Sequence, residues 1–245
     1  LTSAVLQGIA LLDPDLSLVH ITRTDAGSAR TMAGIRQHNA SLPASHLTKF
    51  DEVLATGAAR TAVDRARSAT FEAALVAVES APYQGLTTLS ELREVLAYCT
   101  EWPGARKAGR VLAFASPYSE TPGETIGRIA FDALDVPAPD QQVLIFDEQG
   151  FVGRCDYYWE KHHTVGEFDG ELKYAGDGIR DGVLLHEKER EDRLRAAGIE
   201  VFRIGWRESP AQSASVRRKA FAGFDRAARS TARRTYRFKR QPPRE

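Results

Sequence analysis

The sequence predicts an α/β (α+β) protein in which a mixed sheet flanked by helices follows a smaller, helix-rich α/β domain. Three observations carry this. Alanine-rich stretches with apolar residues near helical spacing dominate the first half. The second half runs helix, three short extended segments divided by turns, helix, strand, helix. Between them, Ser116-Pro117-Tyr118-Ser119 interrupts both patterns. Domains are therefore expected at 1–115 and 116–229, with a basic, disordered tail at 230–245.

Leu18 to Thr22 reads as a short strand. Ala58 to Ala81 places Ala59, Ala62, Val63, Ala66, Leu75, Val76 and Val78 near helical spacing, enough for two helices. Thr88 and Glu91 fit a capping box, in which each side chain bonds the other's backbone N–H, so a helix is expected to Tyr98. Another follows Pro103, from Gly104 to Ala115. Arg30, Arg36, Arg60, Arg65 and Arg67 are scattered along this half and read as surface residues, with no chemistry expected of them.

Thr121-Pro122-Gly123-Glu124 has the residue types of a second capping box, with proline at the first helical position. The stripe Ile126, Ile129, Ala130, Ala133 and Leu134 gives that helix an apolar face, and Pro137 and Pro139 end it. Strands are expected at Gln142–Asp147, Phe151–Trp159 and Thr164–Asp169, with turns between. A loop containing Gly176, Gly178 and Gly182 leads to a charge-dense helix, Leu184 to Ala197, stopped by a left-handed Gly198. Ile199 to Trp206 reads as a strand and Ser215 to Arg229 as a basic helix.

At 245 residues, 42% hydrophobic and 27% charged, the chain has the composition of a folded protein of up to two domains. No apolar run approaches the ~20 residues of a membrane span, so no membrane partner is expected. The first dozen residues lack a basic start and a cleavage site, and the chain opens on Leu1, which suggests a fragment. Cys99 and Cys155 share no metal-ligand spacing, and a reducing, cytoplasmic compartment is expected. His162 and His163 fall in a turn, and no Cys or His pair has the spacing of a zinc site. Charge is unevenly spread. Residues 207–245 carry 12 Lys/Arg against 3 Asp/Glu, a net +9 that leaves −9 on 1–206. A basic tail on an acidic body suits contact with nucleic acid, and suits a solvated tail equally.

Hairpin register is set by its turn. A turn centred between Lys161 and His162 pairs Asp156 with Glu167 and Arg154 with Asp169. Arg154, Asp156, Tyr158, Val165, Glu167 and Asp169 then share one face, and Cys155, Tyr157, Trp159 and Phe168 the other. Opposed carboxylates about 5 Å apart repel, so something must compensate. A divalent cation would, because hard ions take carboxylate oxygens, and such an ion can activate water against a phosphodiester. An Arg154–Asp169 pair is a second compensation, and an ordinary solvated acidic face is the alternative to both.

At these residues the sequence resembles a known group. Ser119-Glu120, Gly123-Glu124-Thr125, Arg128, Pro139 and Gln142 look like the opening of a domain related to very-short-patch-repair endonucleases. The likeness continues through Gly153-Arg154-Cys155-Asp156-Tyr157, Trp159, Val165-Gly166-Glu167-Phe168-Asp169-Gly170 and Lys173-Tyr174. It closes on Glu187-Lys188-Glu189-Arg190-Glu191-Asp192, Leu194, Gly198 and Val201-Phe202-Arg203. The resemblance implies a restriction-endonuclease-like, PD-(D/E)XK nuclease-like fold. It also implies that Asp156 and Glu167 are the motif carboxylates holding Mg²⁺ or Mn²⁺, with Glu124 of the first helix completing the metal set. Gln142 matches a recurring polar residue at a strand entry. The motif lysine is replaced by Asp169, so Lys173, or Lys188 or Arg190 on the next helix, would have to supply its charge. In actinobacterial proteins of this type the domain follows a winged-helix segment of AbiEi-type antitoxins or regulators, and the stretch from Leu1 resembles what comes just after it.

The expectation that follows is a Mg²⁺-dependent DNA endonuclease using Asp156, Glu167, Asp169 and Lys173, with Arg154, Arg217, Arg218, Lys219, Arg233 and Arg234 contacting DNA. The alternative is a non-catalytic DNA-binding regulator or antitoxin that pairs with a cognate toxin. A module that only contacts such a partner is the third expectation.

Overall fold

The computed structural model describes residues 1–25, 28–170, 180–206 and 214–242, with backbone alone at 180–185. It is a mixed α/β chain, as expected, and divides into two compact units, Leu1–Pro122 and Gly123–Pro243. The division falls after Pro122, somewhat later than the sequence break at Ser116 suggests.

The first unit opens with a short helix α1 (Thr2–Leu6), then β1 (Val19–Arg23), β2 (Arg30–Met32), β3 (Ile35–Asn39), β4 (Leu47–Phe50) and β5 (Val53–Thr56). β1 and β3 run parallel with β2 antiparallel on the far edge of β3, and β4–β5 is a separate hairpin. Four helices follow: α2 (Ala58–Ser68), α3 (Phe71–Tyr83), α4 (Leu89–Tyr98) and α5 (Ala105–Phe114). The alanine-rich run is two helices because Thr70 caps the second, its hydroxyl accepting from the Ala73 amide. Every residue from Ala73 to Pro82 is buried, which makes α3 the central helix of the unit. The Thr88–Glu91 capping box is present in full.

The second unit is α6 (Pro122–Ala133), β6 (Asp140–Asp147), β7 (Gly150–Trp159), β8 (Thr164–Asp169), α7 (Arg180–Ala196), β9 (Glu200–Gly205), α8 (Ala214–Arg229) and β10 (Arg237–Lys239). Its five-stranded sheet has the order β10-β6-β7-β8-β9, antiparallel throughout except for β8 and β9, which run parallel across the α7 crossover. Phe131 of α6 and Phe224 of α8 pack with Tyr157, Trp159 and Phe202 on one face. Leu194 of α7 packs with Val143, Tyr158 and Val165 on the other. Burial of a side chain such as Phe131 contributes roughly 1.5–3 kcal/mol. The α6 stripe differs from expectation at its end, where Ala133 is exposed and Phe131 is buried instead. α6 lies so close to the sheet that a Cβ on Gly123 would meet Phe168 at 2.3 Å, and one on Gly127 would meet the Tyr157 hydroxyl at 2.3 Å.

Two expectations are corrected. The tail at 230–245 is not structureless over its whole length, because β10 pairs with β6 and Tyr236 and Phe238 pack on the sheet. Nor does Cys155 share a face with Tyr157 and Trp159. It packs with Tyr158 and Val165, on the side that α7 covers. The cause is local. The β6–β7 ladder pairs Gln141 with Tyr157 and Val143 with Cys155 but skips Gln142 and Asp156, and Gln142 has a left-handed φ of 52°. The alternation of β7 breaks at that unpaired position, between Cys155 and Tyr157.

Candidate functional site

The site lies where the β7–β8 ladder opens. The observed pairs Tyr157–Gly166, Tyr158–Val165 and Trp159–Thr164 have the expected register, which one further step would extend to Asp156 and Glu167, but the ladder ends before that pair. The Asp156 carboxylate accepts from the Phe168 amide at 2.9 Å, so a side chain replaces the next ladder bond. Glu167 is buried at 9% exposure.

The compensation for Glu167 is arginine. Arg190 of α7 donates through Nη2 to Glu167 Oε1 at 2.5 Å. Arg203, the register partner of Glu167 on β9, brings its Nη2 to 3.6 Å of Oε2. Glu187 ties the two together, accepting from Arg190 at 2.7 Å and Arg203 at 2.6 Å, and Glu191 accepts from Arg203 at 3.1 Å. Burial works against the Arg190 cation, but the hydrogen bonds to Glu187 and the charge of Glu167 raise its pKa overall. The hydrogen bond from Arg190 is the main reason that the Glu187 carboxyl titrates below its usual range. Glu187 and Glu191, which repel along an isolated helix, thus become the acidic side of a charge-assisted network. The Arg190 stem crosses Gly153, where a Cβ would meet Cδ at 2.9 Å, so β7 needs a bare backbone there.

Glu124 is buried at 5% exposure, and its Oε2 accepts from Gln142 Nε2 at 2.8 Å. Gln142, which had no role in the sequence reading, holds that carboxylate in place at the cost of a left-handed backbone beside Asp156. Among the described residues, no group of three or more His, Cys, Asp or Glu side chains is arranged to hold a metal ion. Glu167 faces arginine and Glu124 faces glutamine, so the three expected ligands do not converge as a donor set. Asp169 ends β8 opposite Gly205, and Lys173 lies outside the described residues.

Of the residues expected to contact DNA, Arg154, Arg217 and Arg218 are exposed. Arg217 lies over the Phe221 ring at 4.5 Å, and Lys219 donates to the Arg203 carbonyl at 3.0 Å. Arg203, Arg218, Lys219 and Arg226 line an open groove between β9 and α8, with Glu191 at its edge. Arg233 and Arg234 follow α8 as exposed residues before β10. The sequence reading missed the Arg203–Glu167 pairing. Parallel register across a crossover is not legible in one chain, although the odd spacing of Arg203 with Val201 was a signal. Among the described residues, no helix is long and apolar enough to cross a membrane.

No family model matches the chain, and no solved structure does. Two curated relatives, the uncharacterized proteins MT2308 and Rv2248 from two strains of Mycobacterium tuberculosis, are each 27% identical over 160 residues. Those residues are 65% of this chain and 58% of each relative, so the match spans little more than half the length of either protein.

Proposed function

We propose that the second unit is a DNA-contacting domain of the nuclease type whose Glu167 is neutralised by arginine, so that it serves as a binding platform. The observation that carries this is Glu167, held by Arg190 at 2.5 Å on one oxygen and approached by Arg203 at 3.6 Å on the other. A carboxylate so engaged has little left to offer a cation. The order helix, three-strand meander, helix and parallel strand supports the nuclease-type reading, and the groove with Arg218 and Lys219 supports contact with phosphates. A cytoplasmic location goes with a DNA partner, and a cognate toxin fits a regulatory role.

The second reading is Mg²⁺-dependent phosphodiester hydrolysis, favoured by the register that one further step would extend to Asp156 and Glu167. Plasmid incubated with Mg²⁺ or Mn²⁺, with Asp156→Asn as control, separates the two. The platform reading expects no metal-dependent cutting, and DNA retention that falls steeply with salt. Cutting that Asp156→Asn abolishes would replace it with the nuclease reading.

A further inference from the structure

We propose that the first unit binds a phosphate group in a cavity between β1, β3 and α2, with Arg36 and Arg65 as its anchoring cations. The proposal is independent of how the second unit is read. Four of the five arginines that look scattered in sequence, all but Arg30, line one cavity of about 440 Å³, large enough for a phosphorylated small molecule. Arg36 comes from β3, and Arg60, Arg65 and Arg67 from α2.

Charge is unbalanced there. Among the described residues Asp64 is the one acidic side chain on the wall, and both its oxygens are taken, by Arg60 at 2.8 Å and Arg67 at 2.7 Å. Those two guanidiniums are further committed. Arg60 donates to the Ser41 carbonyl, Arg67 to the Pro103 carbonyl, and both lie within 5 Å of the Trp102 ring centre, at 4.6 and 4.9 Å. Arg65 and Arg36 are left over. Arg65 Nε is buried without a hydrogen-bond partner, and among the described residues no acid pairs with either cation. A buried donor left unmade is costly, and an oxyanion would relieve it.

The facing wall agrees. His20 and His38 on β1 and β3 stack with Nδ1 and Nε2 3.0 Å apart. Burial first, then the Leu1 amino group and His38, and only after them Arg36 and Arg65, lower the His20 pKa to about 4. The imidazoles are thus neutral hydrogen-bonding groups in a positive field, not additional charges. The hydroxyls of Ser3 and Thr22 complete a polar lining. Two guanidinium forks and neutral hydrogen-bonding groups suit an anion with tetrahedral oxygens, and phosphate is the class proposed. It is either free or carried by a nucleoside.

Calorimetry on the full chain at low ionic strength tests this with inorganic phosphate, thymidine 5′-monophosphate and thymidine. One saturable site for a phosphate-bearing probe and none for thymidine is expected. Tighter binding of the nucleotide assigns the phosphate to a nucleotide, and equal affinity assigns it to the free ion. Arg65→Gln and Arg36→Ala should each weaken binding about tenfold or more, equivalent to about 1.4 kcal/mol. Arg36 is exposed, so its variant decides the matter even if Arg65→Gln does not fold. Arg93→Ala, exposed on α4 and outside the cavity wall, should change nothing. Absence of saturable binding by both phosphate probes, or binding kept within about twofold in both variants, overturns the proposal.

Discussion

Replacing Arg190 by methionine keeps the stem that crosses Gly153 and removes the charge that Glu167 faces. At an effective dielectric of about 20, unit charges at the observed 2.5 Å separation attract by roughly 7 kcal/mol before desolvation. Desolvation of both ions consumes much of that, yet deleting one partner of a buried pair still costs about 3–5 kcal/mol, because the other charge is stranded. The two side chains are 19% and 12% exposed and Arg203 remains nearby, so a loss of about 2–3 kcal/mol is expected for Arg190→Met. Glu167→Gln should recover part of it in the double variant, giving a coupling of at least about 1 kcal/mol. The assay is urea unfolding followed by tryptophan fluorescence in a Trp102→Phe background, which leaves Trp159 and Trp206 to report on the second unit alone. A cost for Arg190→Met below about 0.5 kcal/mol, or no coupling with Glu167→Gln, would refute the reasoning, since a carboxylate that does not depend on arginine is free for a cation.

Three further outcomes are expected. Gly127→Ala sets a Cβ 2.3 Å from the hydroxyl of a fully buried Tyr157 that donates to the Glu124 carbonyl, and should cost about 1–3 kcal/mol in urea unfolding of the second unit. Truncation after Thr235 removes β10 and the Tyr236 hydroxyl, which meets Tyr158 at 2.8 Å and His163 at 2.5 Å. It should destabilise that unit by about 2 kcal/mol and weaken DNA retention at low salt, and unchanged retention would remove the tail from the DNA contact. His20 stays neutral in the folded chain down to about 4, while an unfolded histidine takes its proton near 6.5. The folded state therefore loses stability as pH falls through that window, and a stability profile measured on His20→Gln should be flatter there.

The placement of elements was legible because it rests on local rules. The Thr88–Glu91 box, the left-handed Gly198 and the register of the β7–β8 hairpin all depend on residues near one another in sequence, and each has its expected form. Strand alternation failed at Asp156, where the β6–β7 ladder leaves Gln142 and Asp156 unpaired and Gln142 takes a left-handed backbone. The segment around Tyr236 read as a tail because its partner, β6, lies about 90 residues earlier and charge dominates its composition.

By itself the sequence determined the mixed α/β class, the Thr88–Glu91 cap and the register of the β7–β8 hairpin from Tyr157 to Trp159, since propensity, capping and hairpin pairing act over a few residues. The tertiary structure decided what compensates Glu167 and where the first unit's arginines go. Glu167 meets Arg190 and Arg203 through a helix crossover and a parallel strand, and Arg36 meets Arg65 across a sheet and a helix. Charges act through space, so their partners are set by packing of distant segments and not by spacing along the chain.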